Sequence, residues 1–395
     1  RKELMTPLNV SKPFLPLTSY EKAGQWLHRS ASPWIRPIDY AVECSMHTFS
    51  TAINPGKFSN QPSFLAEATL RVMSVFISTL SLPLTLPLYV IGEMIDLTGD
   101  LLQKRPYNYL EGTCKEKQDT KNTYTVFSAN LCMLPYGIAT LGGVRSAGSR
   151  IDAAAEAILT ADADFICLQE MSISPSLKLQ EKIKDTYAHS FTRIGPMPTS
   201  RMGGGLFFAS KYPIEEVQYH PLSNTGAIAR GVFCAKTKAG WILNAHLSAG
   251  SSDEIVALRK KQMEEIILLS KKLSQEGAIP CFLFMDSNIQ RTGKENDEYS
   301  LSQIAEHFTN GLNGEKPFTL TPENATCTNC LTSAIQGKED PKNIEEGFEH
   351  IDCALSYKPS QVTVKSTVIP AYNLERREEA LSDHHILLSE IKLNN

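Results

Sequence analysis

Polar side chains able to bind a cation or move a proton follow six short apolar runs. The six stretches span residues 128–131, 167–170, 243–247, 284–288, 349–355 and 381–388. An apolar run that stops at an acid, an amide or an imidazole predicts a buried strand with the polar side chain at its end. A sheet holds such side chains rigidly. The six stretches therefore predict one site that brings carboxylates, amides and imidazoles together at the strand ends.

Individual residues in these stretches suggest distinct tasks. Glu170 closes an apolar strand, where a solvated surface acid would be unusual; the alternative is an acid that caps a neighbouring helix. His384, with an ordinary pKa near neutrality, is a candidate general base. Asp286 and Asn288 share one strand face and could hold a water molecule or a phosphoryl oxygen. An isolated strand histidine such as His246 is structural by default, but the small residue before it and the leucine after it favour a function.

The composition is that of a folded, mildly acidic protein. The chain has 395 residues, a net charge of −4 and 42% hydrophobic residues, which is enough for a full core. It shows no basic cluster of the kind that binds nucleic acid, so no nucleic-acid partner is expected. Five cysteines lie in the apolar strand patterns and are predicted to be buried thiols of a reducing compartment. They are Cys132, Cys167, Cys234, Cys281 and Cys353.

The N-terminal part of the chain is organised around an apolar run. Residues 1–63 are rich in Pro, Ser and Thr without a clear period, and residues 64–110 form a second region. Within it, residues 72–92 carry no charge and are long enough to span a bilayer, but Pro83 and Pro87 would break or kink a helix. A kinked span, an interfacial hairpin and a helix pair packed on the catalytic domain all remain open. We expect membrane contact through residues 72–92, and hence a membrane-associated protein.

Residues 120–395 predict a catalytic α/β domain. The alternation in 123–131 is typical of a strand, the spacing of apolar residues in 149–160 predicts a helix, and 164–168 form a second strand. A capping box at 251–254 predicts the start of a helix that runs to about residue 273. Strands and helices alternate, with frequent hairpin-like strand pairs.

The order and local sequence of the six stretches resemble the endonuclease/exonuclease/phosphatase superfamily. This group of metal-dependent phosphodiesterases includes DNase I-like nucleases, inositol-phosphate phosphatases and neutral sphingomyelinases. The resemblance covers residues 120–395. It implies a four-layer α/β sandwich in which two mixed sheets pack face to face and helices cover the outside.

The resemblance also implies which residues face the metal and the phosphate. Glu170 would be the main Mg²⁺ ligand, with Mn²⁺ or Ca²⁺ possible at the same site. Asn130 would contact the phosphate or the metal. Asp383 is expected on the phosphate or metal side, because strand neighbours point to opposite faces. His350 would contact a phosphate, and His385 is expected on the outward face without a function.

Proton transfer would fall to the remaining groups. The resemblance implies that Asp352 holds the tautomer of His384, forming an Asp–His pair without a serine. Asp286 and Asn288 would orient the nucleophile. His246 would stabilise charge or protonate the leaving oxygen.

Within the superfamily, three features resemble membrane-anchored neutral sphingomyelinases. They are residues 130–135, residues 205–214, and the apolar segment followed by residues 105–107 and a polar linker. This branch implies hydrolysis of sphingomyelin to ceramide and phosphocholine, with Arg230 as a substrate contact. The acid that the branch carries five positions before that basic residue is Thr225 here, so its switch element is absent or built differently.

Three alternatives remain: a phosphoinositide phosphatase, a DNase I-like nuclease, and a non-catalytic membrane-binding module. The last predicts the loss of at least one catalytic group, whereas all are present in the sequence.

Overall fold

The computed structural model describes most of the catalytic region and the two N-terminal helices. The described residues are 17–53, 64–103, 105–118, 121–135, 139, 144–196, 203–226, 228–289, 295–312, 327–328, 348–349, 351–360, 362–371 and 380–393. His350 lies outside them, so the phosphate contact predicted for it stays a prediction.

Helices and strands alternate along the catalytic region after two long N-terminal helices. The helices are α1 (Ser19–Ile53), α2 (Phe64–Leu102), α3 (Ala147–Ala161), α4 (Ile173–Ile183), α5 (Asp253–Leu273) and α6 (Glu295–His307). The first strands are β1 (Asn108–Glu111), β2 (Thr123–Met133), β3 (Phe165–Met171), β4 (His189–Thr192), β5 (Phe207–Ser210), β6 (Glu216–Pro221), β7 (Gly231–Thr237) and β8 (Gly240–His246). The others are β9 (Cys281–Asp286), β10 (Phe308–Asn310), β11 (Cys327–Thr328), β12 (Phe348–Glu349), β13 (Asp352–Tyr357), β14 (Thr363–Ile369) and β15 (Ile386–Lys392).

Two mixed sheets form the catalytic region. The larger has the strand order β1-β4-β5-β3-β2-β15-β14, and the smaller has the order β10-β13-β9-β8-β7-β6. Each contains one parallel pair, β2 with β3 and β8 with β9, among antiparallel neighbours. The predicted pair of mixed sheets is therefore confirmed.

The sheets pack face to face over an aromatic core. Phe233 of the smaller sheet lies 5.1 Å from Phe191 and 5.2 Å from Phe208 of the larger one, between ring centroids. Separate apolar clusters join α3 and α4 to the outer face of the larger sheet, and α5 and α6 to that of the smaller one. Burial of both faces of each sheet explains why its strands are almost continuously apolar. The result is the predicted four-layer sandwich.

A polar bridge crosses this core just below the site. Gln169 of β3 donates to the side-chain oxygen of Asn244 of β8, at 2.7 Å. The amide of Asn244 in turn donates to the carbonyl of Leu168, at 3.1 Å. Because both side chains are fully buried, these bonds fix the sheets relative to each other beside Glu170 and His246.

The helices predicted from local signals are present. The capping box at 251–254 precedes α5, and the hydroxyl of Ser252 accepts the N–H of Ile255 at 3.4 Å. The helix predicted over 149–160 is α3, which presents Ile151, Ala154 and Ile158 to the core. The five strand cysteines are buried and free.

The apolar segment lies in a single helix and not in a broken one. Pro83 and Pro87 both lie inside α2, although the sequence predicted a break or a kink there. Each proline removes one helical N–H donor, but the other bonds of a 39-residue helix persist around them. Among the helices in the described residues, none combines the length and apolar character needed to cross a membrane.

Ion pairs attach the α1–α2 hairpin to the catalytic region. Arg193, which directly follows β4, donates to both carboxylate oxygens of Asp96 at 3.1 Å and to Asp100 at 2.9 Å. His28 of α1 bonds the same Asp96 at 2.8 Å. Arg105 pairs with Glu21 at 2.8 Å. Since the side chain of Arg193 is only 2% exposed, this is a buried, charge-assisted attachment.

Candidate active site

Strand register in the smaller sheet aligns three of the predicted site residues. His246, the last residue of β8, pairs with Asp286, the last residue of β9. Asp286 pairs in turn with Asp352, the first residue of the antiparallel strand β13. The three side chains therefore lie in one row across adjacent strands, and this alignment depends on the strand register.

The larger sheet contributes the predicted base. His384 lies two residues before β15, and its Nδ1 is 2.8 Å from Oδ2 of Asp352. With Nδ1–H donating to that carboxylate, Nε2 is directed toward Asp286, whose Oδ2 is 3.9 Å away. The Asp–His pair implied by the resemblance is therefore present as a contact between the two sheets.

Asp286 is buried at the centre of the site and accepts two hydrogen bonds. Its Oδ2 accepts from Nδ2 of Asn130 at 2.8 Å, and its Oδ1 accepts from the backbone N–H of Asn288 at 3.0 Å. Burial, together with the charge of Asp352, raises the pKa of Asp286 from 3.8 to about 7. A carboxyl that titrates near neutrality is suited to proton transfer.

Asn130 owes its orientation to an irregularity in β2. The strand pairing shifts between Asn130 and Met133, and Cys132 adopts a left-handed backbone with φ of 47°. The side-chain oxygen of Asn130 accepts the N–H of Cys132 at 2.9 Å. Its nitrogen therefore points to Asp286, so Asn130 presents a donor to the site in this arrangement.

His246 is held in its neutral form. Its Nε2 accepts from Nδ2 of Asn288 at 3.0 Å, and the same Nδ2 donates to the carbonyl of Leu247 at 3.3 Å. Oδ2 of Asp286 lies 3.4 Å from this Nε2 and Oε1 of Glu170 lies 3.9 Å away. Burial, aided by the positive charges of Arg230 and His384, lowers the pKa of His246 well below 6.5.

Glu170 lies at the open side of the cluster. Its side chain is 20% exposed, and its backbone has a left-handed φ of 55°, a strained conformation of the kind that is concentrated at functional sites. Burial, together with the negative charge of Asp383, raises the pKa of Glu170. The carboxylates of Glu170 and Asp383 are thus close enough to repel each other, which a bound cation would relieve.

A second group of possible ligands lies deeper in the site. One ligand atom each from Asp286, Asp352 and His384 fall within 4.8 Å of one another. A cation at this place would compete with the hydrogen bond from His384 to Asp352. A proton-transfer role for these three residues keeps that hydrogen bond intact, and Glu170 stays the metal ligand that the resemblance implies.

Arg230 faces this negative cluster. It is half-buried; burial lowers its pKa, and the charges of Glu170 and Asp286 oppose that shift. Gly231 is required beside it, because a Cβ there would lie 2.2 Å from the hydroxyl oxygen of Tyr219. Thr225 is exposed.

Several residues that the sequence did not single out hold the site together. The hydroxyl of Ser287 donates to the carbonyl of Ile351 at 2.7 Å, joining the ends of β9 and β13. The hydroxyl of Ser382 donates to the carbonyl of Asn130 at 2.7 Å. Arg150 of α3 is buried and donates to the carbonyls of Leu131 and Cys132, which follow Asn130. In the sequence, each of them is only a polar residue near a motif. Many surface residues have the same feature, so it does not identify a functional residue.

His385 is placed away from these groups. Its Nδ1 accepts the backbone N–H of Ala371 at 3.1 Å. Burial lowers its pKa to about 4. This is a structural contact outside the catalytic cluster.

Comparison with known proteins agrees with the fold. Residues 128–235 match the sequence model described as the Endonuclease/Exonuclease/phosphatase family. The chain has no match among curated proteins.

Two solved structures share the sandwich. A beta toxin from Staphylococcus aureus is 18% identical, with a TM-score of 0.50 over 67% of this chain and 99% of that one. A sphingomyelinase C from Streptomyces griseocarneus is 16% identical, with a TM-score of 0.50 over 69% of this chain and 100% of that one. At these identities the likeness shows a shared fold.

The family match and the two-sheet fold confirm the predicted resemblance to the endonuclease/exonuclease/phosphatase superfamily. A hydrolase of the endonuclease/exonuclease/phosphatase type is the class that the match over residues 128–235 supports.

Proposed function

We propose that this protein is a Mg²⁺-dependent phosphodiesterase that cleaves sphingomyelin into ceramide and phosphocholine. The observation that carries the chemistry is the contact between Asp352 and His384 beside the buried Asp286. The observation that favours a lipid substrate is an exposed apolar helix attached at the same end of the sheet.

The first step is the attack of water on phosphorus. Nε2 of His384 takes the proton of the water, while Asp352 holds Nδ1–H and stabilises the imidazolium that forms. Asp286 orients that water, and its pKa of about 7 makes it the next candidate for the proton. Asn130 and Asn288 fix the carboxylate through the two hydrogen bonds it accepts.

The second step is departure of the ceramide oxygen. The bond from phosphorus to that oxygen breaks, the oxygen gains a proton, and phosphocholine remains. His246 is the candidate donor, because its Nε2 lies within 4 Å of both Glu170 and Asp286. In its neutral resting form this Nε2 accepts from Asn288, so it needs a proton before it acts. That proton is the one taken from water, passed from Nε2 of His384 through Oδ2 of Asp286, which lies 3.9 Å from Nε2 of His384 and 3.4 Å from Nε2 of His246.

The residues present fit a hard divalent cation. Glu170 and Asp383 offer carboxylate oxygens, which Mg²⁺ prefers, and burial, together with the negative charge of Asp383, raises the pKa of Glu170. When bound, Mg²⁺ would neutralise charge on the phosphoryl group. Arg230, which faces the same carboxylates, is proposed as the substrate's phosphate contact.

The N-terminal hairpin supports a substrate in a bilayer. Large apolar side chains of α2 are more than half exposed; they include Val72, Phe76, Ile77, Leu80, Leu84, Leu86, Met94, Leu97 and Leu101. Exposed large apolar side chains in this number mark an interaction site. Helix α2 contains two prolines and many leucines, and its exposed apolar side chains are suited to lie in the interface of a membrane.

The hairpin borders the end of the larger sheet that carries Asn130 and Glu170, which supports the proposal. Asp96 and Ile35 of the hairpin border a cavity of about 200 Å³ together with Leu134 and Ser172. Leu134 directly follows β2, which carries Asn130, and Ser172 directly follows β3, which carries Glu170. Anchoring the hairpin would therefore bring the active site to the lipid head groups and raise the effective substrate concentration.

A substrate panel tests the proposal. The full chain is incubated with vesicles of sphingomyelin, phosphatidylcholine or a phosphoinositide, and with duplex DNA, each with Mg²⁺ and with a chelator. We expect Mg²⁺-dependent release of phosphocholine from sphingomyelin. Cleavage of DNA or a phosphoinositide without release of phosphocholine would contradict the substrate assignment, and activity unchanged in chelator would contradict the metal.

The matched control is Asp352→Asn. This variant keeps the shape of the side chain but removes the charge that stabilises the His384 imidazolium. A loss of turnover with retained vesicle binding separates the chemistry from membrane attachment. Loss of both together would indicate misfolding.

A further inference from the structure

The guanidinium of Arg150 lies beneath the catalytic end of the larger sheet and donates to four backbone carbonyls. Arg150 belongs to the first turn of α3 and is 3% exposed. Its Nε donates to the carbonyl of Arg145 at 2.6 Å. Its two terminal nitrogens donate to the carbonyls of Leu131 at 2.8 Å, Cys132 at 2.5 Å and Leu381.

These acceptors flank two catalytic segments that are 250 residues apart in the chain. Leu131 and Cys132 form the irregularity directly after Asn130, whereas Leu381 directly precedes the segment that leads to His384. Between the two segments, the hydroxyl of Ser382 donates to the carbonyl of Asn130 at 2.7 Å. The N–H of His384 then donates to the same hydroxyl at 3.2 Å.

We propose that Arg150 is a positioning residue for catalysis, which holds the donor Asn130 and the base His384 in one geometry through the backbone. It touches neither substrate nor the reacting atoms. The inference rests on the proposed phosphodiesterase function and assigns to it a residue outside the six motifs.

The chemistry of the site requires an arginine. The planar guanidinium presents five N–H donors in a fixed fork, so one side chain can satisfy carbonyls from both segments at once. The left-handed backbone of Cys132 directs its carbonyl to this fork. A lysine ammonium is a single point donor and would leave some of these buried carbonyls without a partner.

The consequence of losing the fork follows from the bonds of Asn130. Without it, the turn at Cys132 relaxes, and the N–H that orients the Asn130 side chain moves with it. The hydrogen bond from the Asn130 amide to Asp286 would then lose its favourable geometry. A displacement of about 1 Å at a catalytic group can cost about 100-fold in rate.

The test compares Arg150→Gln and Arg150→Lys with wild type in the full chain, using a soluble phosphodiester, bis(p-nitrophenyl) phosphate, with Mg²⁺. We expect Arg150→Gln to lower kcat about 100-fold with little change in KM, and Arg150→Lys to recover part of the loss. Rates are divided by the concentration of folded protein, so that a loss of stability alone does not lower the kcat.

Lys211→Gln is the matched control. Lys211 is another buried cation, and it holds the opposite end of α3 by donating to the carbonyl and carboxylate of Asp162. Its loss should lower stability but leave kcat per folded molecule within about twofold of wild type. An equal kcat loss in Arg150→Gln and Lys211→Gln would overturn the inference.

A double-mutant cycle gives a readout that a merely structural residue would not move. If Arg150 acts through Asn130, then Arg150→Gln should cost much less in the Asn130→Ala background than in wild type. Equal costs in both backgrounds would overturn the inference. The free energy of unfolding is measured for the same four proteins, and the two effects on it should also be less than additive. The cycle therefore tests the coupling of Arg150 to Asn130 even if wild type hydrolyses no phosphodiester and the proposed function fails.

Discussion

Replacing Asp286 with asparagine should abolish activity and yet stabilise the metal-free protein at alkaline pH. The carboxyl is 1% exposed, and burial together with the charge of Asp352 raises its pKa from 3.8 to about 7. The folded protein therefore binds this proton more tightly than the unfolded chain. Stability from this group is fully present below pH 3.8 and is lost as the pH rises through about 7.

The magnitude follows from the two pKa values. Their difference corresponds to a cost of at most about 4 kcal/mol above pH 7, at about 1.4 kcal/mol per unit of pKa. An asparagine avoids that cost, but its NH₂ group faces one of the two donors that Asp286 satisfies, Asn130 or the N–H of Asn288. That mismatch costs about 1–3 kcal/mol. The net gain at pH 8 is therefore about 1–3 kcal/mol.

The assay is urea unfolding of wild type and Asp286→Asn in EDTA at several values between pH 4 and pH 8. The advantage of the variant should grow from pH 4 to pH 7 and then level off. A variant that is destabilised by the same amount at every pH would refute the reasoning, because its carboxyl would then carry no burial cost.

Asp96→Asn provides a control of opposite sign. Burial opposes ionisation of Asp96, but the hydrogen bond from His28 and the charge of Arg193 outweigh it and lower its pKa. The stability from this group is present above the ordinary pKa of an aspartate and is lost as the pH falls. Asp96→Asn should therefore cost most at pH 8 and least at the acidic end of the series.

Three further predictions concern activity. Glu170→Gln should lower kcat by orders of magnitude and weaken Mg²⁺ binding measured by calorimetry, with an unchanged circular dichroism spectrum; full Mg²⁺ affinity would exclude Glu170 as the main ligand. His384→Ala should lose turnover and not vesicle binding, whereas His385→Ala, which loses the bond from the Ala371 N–H, should cost about 1 kcal/mol of stability and leave turnover unchanged; equal turnover losses would reassign the base. Arg193→Ala should release the hairpin and reduce hydrolysis of vesicles far more than hydrolysis of a soluble phosphodiester; equal effects on the two substrates would remove the hairpin from substrate delivery.

The local sequence was sufficient to predict the catalytic elements and the residue types at their ends. Strand runs that stop at Glu170, His246 and Asp286 are read from hydrophobicity and its period, which act over a few residues. The start of α5 is equally local, because Ser252 and the N–H of Ile255 are three positions apart. These parts of the prediction needed no knowledge of the chain's path.

The contacts between these residues were decided by the tertiary structure. His246, Asp286 and Asp352 form one row because of strand register, and a slip of one residue would turn a side chain to the opposite face. Asn130 presents its nitrogen to Asp286 because a left-handed turn at Cys132 occupies its oxygen.

The supporting arginines show the same limit. Arg150 and Arg193 stand in no motif, and their partners lie up to 231 positions away. Their value comes from burial and from acceptors that only the packed chain assembles. The sequence by itself thus determined which groups stand at the strand ends. Tertiary packing decided which of them meet and in which protonation state, because hydrogen bonding and desolvation depend on neighbours that are distant in the chain.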